Sequence, residues 1–274
     1  MRKIKKFYPL VSILINNYNK QKFCEEALKS AISQNYKNLE VIFFDDNSHD
    51  DSLKEIKKYK SKYKKKIKII ENKTRDNVYS FNQMNGIKIS LSKSKGEIIC
   101  FMDSDDFFKK NKVKQIVNFF EKNPDQDIVF DNPIFYINKK NQRSNLENYF
   151  IRENKWPRFP PTSCISVRKN NLKIVLDKII IKKFEDLWFD FRISTFFSMN
   201  KNQFNFLKKD LTYYRQHNNN YDKKFKKFLN LKWWRRRNQA FEFILFLNKS
   251  KYKKNIFSLD YLITKLMNKF FFIF

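Results

Sequence analysis

Ile98-Ile99-Cys100-Phe101-Met102-Asp103-Ser104-Asp105-Asp106 is the stretch of this 274-residue chain on which the fold turns. Its five leading apolar residues read as a strand buried on both faces, as in a parallel sheet covered by helices. The run ends in three carboxylates. Open α/β sheets bind ligands at the carboxyl ends of their strands, where these aspartates fall. Like carboxylates crowded together repel unless a cation neutralises them, so packing alone gives no reason for the cluster. Val41-Ile42-Phe43-Phe44 repeats the pattern and opens into Asp45-Asp46-Asn47-Ser48. Two buried strands with acidic tips point to a site for a metal-bound, phosphorylated ligand.

Outward from these two runs, residues 11–15 read as a first strand and 39–44 as a second. Between them Phe23, Ala27, Leu28, Ala31 and Ile32 recur at helical spacing. Asp50-Asp51-Ser52 suits the start of the next helix. That helix buries Leu53, Ile56, Tyr59 and Tyr63 and leaves Lys57, Lys58, Lys60, Lys62 and Lys64 in solvent. A third strand at 67–70 and a third helix at 78–91 lead through Gly96 to the acidic strand. Past a helix bearing Val113, Ile116, Val117 and Phe120, strands fit 128–130 and 134–137. Residues 138–163 read as a polar loop, 170–199 as helix-rich, 204–207 and 211–215 as short strands. This alternation predicts an α/β fold, a mostly parallel sheet flanked by helices, over residues 1–220. A basic, aromatic, helical segment is expected over 221–274.

The net charge is +30, with 31 Phe, 32 Asn, three Ala and two Gly. AT-rich codons encode the abundant residue types, so a biased genome accounts for much of the lysine. The remainder fits attraction to an anionic surface. Cys24, Cys100 and Cys164 are far apart and odd in number, which fits a reducing compartment without disulfides or a zinc site. The basic start Met1-Arg2-Lys3-Ile4-Lys5-Lys6 is followed by too short an apolar stretch for a signal peptide. No stretch approaches the roughly 20 apolar residues of a membrane span, and a cytoplasmic protein is expected.

With glycine only at 86 and 96, neither a GxGxxG turn nor a GxxxxGKS phosphate loop is present. Phosphates would instead be neutralised through an Asp-bound hard cation, Mg2+ or Mn2+.

Four motifs together resemble family-2 glycosyltransferases of the GT-A fold. They are Val11-Ser-Ile-Leu-Ile-Asn-Asn-Tyr-Asn19, Glu40-Val-Ile-Phe-Phe-Asp-Asp-Asn-Ser48, Lys95-Gly-Glu-Ile-Ile-Cys-Phe-Met-Asp-Ser-Asp-Asp106 and Phe184-Glu-Asp-Leu-Trp-Phe-Asp-Phe-Arg192. Their order is the family's, over residues 10–217. The resemblance implies inverting transfer of a sugar from a nucleotide diphosphate donor to a glycan or lipid-linked acceptor, in surface polysaccharide synthesis. It implies that Asn16, Tyr18 and Asp46 hold the base and ribose. Asp103-Ser104-Asp105 matches the DxD element, with Ser104 beside the donor, Asp105 on a Mn2+ or Mg2+ ion and Asp103 toward both ribose and metal. Asp186 matches the catalytic base, and His217 a histidine that helps bind metal or diphosphate. Inversion also demands, on chemical grounds, a base and a charge sink on different segments. Asp46 can accept from the imide N–H that uracil has and cytosine lacks, which favours a UDP-sugar. Two departures stand out. Asn16-Asn17 replaces the usual Pro-Thr, and Asn82-Gln83-Met84-Asn85-Gly86 replaces Arg-Asn-x-Gly. Arg75 is then the guess for a diphosphate-binding arginine.

Plainer roles exist for each residue. Asp45-Asp46 can begin a turn, Asp103 and Asp105 can cap a helix, and Asp186 can do the same. His217 can be a surface residue, as His49 is expected to be. Pro160-Pro161-Thr162-Ser163-Cys164 is a candidate border of an acceptor pocket. A nucleic-acid-binding protein would explain the charge and aromatics, yet its acidic strand tips would repel phosphate, so no nucleic acid is expected as a partner. A catalytically inactive relative is the other alternative, against which the intact acids stand. Twelve basic residues between Lys223 and Lys254 interleave with Phe225, Phe228, Leu229, Trp233 and Trp234, followed by Phe241, Ile244 and Leu245. Such a segment, with the tail 270–274, is expected to lie on an anionic membrane, making the protein peripheral on the inner face. The alternative is that these aromatics pack on the rest of the chain.

Overall fold

Strands β1 (Val11–Asn17), β2 (Leu39–Asp45), β3 (Ile67–Glu71) and β4 (Ile98–Asp103) run parallel in the order β3-β2-β1-β4. The computed structural model describes residues 8–64, 66–143, 159–170, 172–199, 205–217, 230–247 and 259–273. Helices α1 (Cys24–Ile32), α2 (Ser52–Lys62) and α3 (Tyr79–Lys93) connect the four strands. Alternate strand residues face opposite sides. Val11, Ile13, Ile15, Cys100 and Met102 pack against α1, α2 and α4 (Lys112–Lys122), whereas Leu14, Ile42, Ile99 and Phe101 pack against α3. Both faces are covered, so the strands carry continuous apolar runs.

Beyond β4 the sheet becomes mixed. β8 (Ile165–Arg168) lies antiparallel to β4, and β6 (Ile128–Ile137) antiparallel to β8. β9 (Asn205–Gln216) runs parallel to β6, and β5 (Phe107–Phe108) pairs antiparallel with β9. The expected strands at 204–207 and 211–215 are therefore one strand, with register shifts against β6 around Asn132 and Pro133. Proline cannot donate to a ladder, which suits it to such an irregularity. The expected loop over 138–163 begins differently too. Asn138 and Lys139, at φ 47 and 63, make a two-residue hairpin turn into β7 (Lys140–Arg143). Residues 144–158 of that loop lie outside the described residues.

Helices α5 (Leu172–Ile179) and α6 (Phe189–Ser198) extend the α3 side of the core. Helix α7 (Leu231–Leu247) joins them through buried Ala240 and Phe243, the latter 5.2 Å from the ring of Phe184. Trp234 is 2% exposed, so this aromatic of the basic segment faces inward. Phe225, Phe228, Leu229 and the lysines at 223–227 and 249–254 lie outside the described residues. Helix α8 (Leu259–Ile273) rests on α7 through Arg237–Asp260, Lys265–Glu242 and Phe241–Tyr261 contacts. Its other side exposes Leu259, Leu262, Ile263, Leu266 and Phe270. No helix among the described residues is long and apolar enough to cross a membrane.

Candidate active site

A cleft opens at the carboxyl ends of β1, β2 and β4, and its floor is the acidic tip of β4. Asp105 Oδ2 lies 2.5 Å from Lys20 Nζ and 3.0 Å from His217 Nε2. Burial opposes its ionisation, but the His217 hydrogen bond and the Lys20 ammonium pull the carboxyl down to about 2. Asp103 behaves oppositely. Burial and the Asp105 charge push its carboxyl up to about 7, while Gln83 Nε2 donates to it over 3.2 Å. Asp106 is a structural acid, accepting from the Ser163 hydroxyl at 2.6 Å and the Arg215 N–H at 2.9 Å. Burial, with the charges of Asp105 and Asp103, raises its pKa well above the carboxylate range. Ser104 is buried at the cleft, its N–H on Asn16 O.

The tip has a buried foundation. Lys112 and Asp131, both fully buried, pair at 2.7 Å beneath it. Lys112 Nζ also donates to Ser163 O at 2.6 Å, and Ser163 Oγ accepts from the Asp103 N–H at 2.9 Å. Thr212 on β9 donates to Asp131 Oδ1 at 2.6 Å. The 160–164 segment thus reaches the site as a support of the acids, and Pro161 and Thr162 also line the cleft.

Asp46 forms the other end of the cleft. Asn72 Nδ2 and Arg75 Nε each donate to it at 2.8 Å, and burial nevertheless raises its pKa. The Arg75 guanidinium lies 3.2 Å above the Tyr18 ring, and Tyr79 and Trp188 continue this aromatic wall. Asp45 is used locally, holding Asn17 and Ser48. Asn16 borders the cleft with its amide turned to α3, donating to Gln83 O at 3.1 Å. There α3 comes close because residue 86 is glycine. A Cβ on it would stand 2.8 Å from the Phe44 ring.

Asp186 lies in an adjoining hollow, which shares Tyr79 and Trp188 with the cleft. Arg235 on α7 grips it with Nε at 2.5 Å and a terminal nitrogen at 2.8 Å, and Gln239 Nε2 adds a contact at 3.3 Å. Arg192, fully buried on α6, holds the same loop by donating to the carbonyls of Leu187, Ile179, Ile181 and Phe184. Asp190, in the first turn of α6, borders the main cleft.

A hard divalent cation suits part of this donor set. Two ligands at about 2.1 Å, at right angles around an octahedral ion, stand about 3.0 Å apart, which is the Asp105–His217 spacing. Mg2+-type sites commonly use one or two carboxylates and draw other ligands from water and substrate phosphates. Among the described residues, no three His, Cys, Asp or Glu gather as a closed cage.

Residues 12–188 match Glycosyl transferase family 2. The chain belongs to that family. A family relative in Escherichia coli, the UDP-Glc:alpha-D-GlcNAc-diphosphoundecaprenol beta-1,3-glucosyltransferase WfaP, is 34% identical over 130 residues, which cover 47% of this chain and 47% of WfaP. The chain spans about half or less of the curated relatives it matches first. Staphylococcus aureus TarS 1–349 in complex with UDP superposes with a TM-score of 0.62 at 17% identity, covering 96% of this chain and 70% of TarS. The mannosyltransferase PcManGT from Pyrobaculum calidifontis, in complex with GDP-Man and Mn2+, gives 0.54 at 14%, covering 95% and 70%. Both show the GT-A glycosyltransferase fold in this family-2 chain.

The expected site residues Asn16, Tyr18, Asp46, Asp103, Ser104 and Asp105 border one cleft, with His217 touching Asp105 and Asp186 next door. Lys20, Gln83, Asp190 and Arg235 were not anticipated. Gln83 and Asp190 lie inside the quoted stretches 82–86 and 184–192, which had given neither a role, and Lys20 stands one residue beyond Asn19.

Proposed function

We propose that this family-2 chain transfers a sugar, with inversion, from a UDP-sugar to a hydroxyl of a glycan or lipid-linked acceptor in surface polysaccharide synthesis. The observation that carries the reading is a single cleft with the Asp105–His217 pair at one end and the Asp46–Arg75–Tyr18 cluster at the other. The first suits a metal-bound diphosphate and the second a base. UDP in TarS and a diphosphate-lipid acceptor in the name of WfaP support the choice of substrates.

In this reading Asp105 and His217 would hold Mn2+ or Mg2+, with Asp103 alongside them at the tip of β4. When bound, the ion supplies Lewis-acid charge to the leaving diphosphate. Asp46 has both oxygens engaged, but a carboxylate offers about four lone-pair sites, so it can still accept a uracil imide N–H. Tyr18, Asn16 and Ser104 border the nucleoside. Asp186 takes the proton of the acceptor hydroxyl. Arg235 and Gln239 fill three of its roughly four lone-pair sites, leaving one for that hydroxyl.

Residues 1–220 carry the transfer site in this proposal, and 221–274 bring the protein to the anionic inner face of the cell membrane as a peripheral cytoplasmic enzyme. The exposed stripe of α8 and the +30 charge support that assignment. Calorimetry with UDP, GDP and CMP, with and without Mn2+, tests the site. UDP with Mn2+ should bind most tightly. Tighter GDP or CMP overturns the uridine assignment, and no binding by any of them overturns the transferase reading.

A further inference from the structure

We propose that Lys20 is a built-in counter-cation that holds Asp105 while the ion is absent and turns to the donor's diphosphate when metal and donor bind. This rests on the metal-assisted reading of the cleft. The Lys20 ammonium stands 2.5 Å from Asp105 Oδ2, the oxygen that His217 Nε2 also meets at 3.0 Å. An ammonium and a divalent cation cannot both sit at contact distance on that oxygen, since like charges so close repel strongly in a partly buried site. Lys20 therefore leaves Asp105 if the ion is to bind there.

Its backbone stays. The Lys20 N–H donates to Ser52 Oγ at 3.1 Å, and its carbonyl accepts from the N–H groups of Phe23 and Cys24 at the start of α1. The exchange is a swing of the flexible four-carbon stem. Among the described residues Arg75, Arg215 and Arg236 also border the cleft, and the first two are tied within it. Arg215 is spread over Asp105 O and Glu26, and Arg75 over Asp46 and the Tyr18 ring. Lys20 borders the same cleft, is 20% exposed along its side chain, and is a compact point charge of the kind that meets phosphate. Before binding, Lys20 keeps the acidic tip from standing uncompensated. Afterwards its charge adds to the leaving group's sink. Metal and nucleotide then bind better together than singly, and each should strengthen the other by the same factor.

The test uses the full chain, with Mn2+ as the metal and UDP as the nucleotide. Electron paramagnetic resonance of free Mn2+ gives the metal affinity of wild type, Lys20→Met and Lys20→Arg, with and without UDP. Calorimetry gives UDP affinity, and circular-dichroism melting confirms the fold. In Lys20→Met, Mn2+ alone should bind about tenfold tighter and UDP with Mn2+ about tenfold weaker, a coupling of ordinary size. Lys20→Arg, which keeps the charge, should stay near wild type for Mn2+ alone. Unchanged or weaker Mn2+ binding in folded Lys20→Met overturns competition for Asp105. Tighter Mn2+ with unchanged UDP affinity overturns the turn to the diphosphate. Failure of UDP to bind any of the proteins would sink the uridine reading instead, while the metal-only arm still decides whether Lys20 and the ion compete.

Discussion

Asp186 and Asp131 show how differently two carboxylates are used in this chain. Asp186 sits beside the cleft with Arg235 and Gln239 around it, oriented but not sealed. A general base contributes about 10²–10⁴-fold in rate. Asp186→Asn should lose that much in single-turnover transfer and still bind UDP with Mn2+. If UDP affinity collapses while the rate per bound complex survives, Asp186 is a structural residue. Asp131 is sealed, and its only charge partner among the described residues is Lys112. Removing one member of a buried pair costs about 3–5 kcal/mol, so Lys112→Met should be destabilised by that order in urea unfolding. The loss should depend on pH. Burial already raises the Asp131 pKa, against the pull of Lys112, and without that pull it rises further. A carboxyl raised on folding contributes stability at low pH that disappears as pH climbs through its folded value. The deficit of Lys112→Met should therefore be smaller at pH 4.5 than at pH 7.5. An equal deficit at both would mean that Asp131 stays ionised.

At the scale of elements, α3 and α7 decide the geometry of the cleft. Helix α3 presses on β1 and β2 because Gly86 leaves room for the Phe44 ring, and it delivers Gln83 to Asp103. Gly86→Ala gains up to about 1 kcal/mol in helix propensity. Against that stands overpacking, which typically costs about 1–3 kcal/mol when a buried aromatic must shift. Phe44 is 1% exposed and has little room to yield, so a net loss is expected. UDP affinity should fall with it, since Asn16 moves with α3. A variant as stable as wild type would show that the helix can withdraw from the sheet freely. Helix α7 comes from the basic segment, yet it carries Phe243 into the core and Arg235 onto Asp186. The part of the chain whose composition reads as a membrane attachment also finishes the hollow around the proposed base.

For the whole molecule, the balance is between charge and one apolar stripe. Leu259, Leu262, Ile263, Leu266 and Phe270 share one side of α8 at three- and four-residue spacing, and Leu259 and Leu266 are 74% and 68% exposed. Burying one leucine is worth about 1.5–3 kcal/mol, so two at a bilayer surface amount to a hundredfold or more in partitioning, roughly. Leu262→Glu with Leu266→Glu should cut flotation with anionic vesicles by about that factor and leave UDP binding intact. Flotation equal to wild type would remove α8 from membrane attachment.

The parallel half of the sheet was readable because its information is local. Residues 98–106 and 41–48 carry strand length, two-sided burial and the acidic tips within nine or fewer consecutive positions, and a continuous apolar run needs no knowledge of the partner strand. Asp46, Asp103 and Asp105 could be assigned to one cleft for the same reason, since strand ends in a parallel sheet converge. The mixed half was less readable. β8 is four residues long, and β9 reads as two strands until its pairing with β6 joins them across the irregularity at Pro133. Long-range partners left no local trace. Lys112 meets Asp131 and Ser163, Lys20 meets Asp105 across 85 positions, and Arg235 meets Asp186 across 49. In a chain with 58 Lys and Arg, nothing in composition separates the few that pair inside from the many that face water. Only burial makes that separation, because a charge withdrawn from solvent must find a partner and one left in solvent need not.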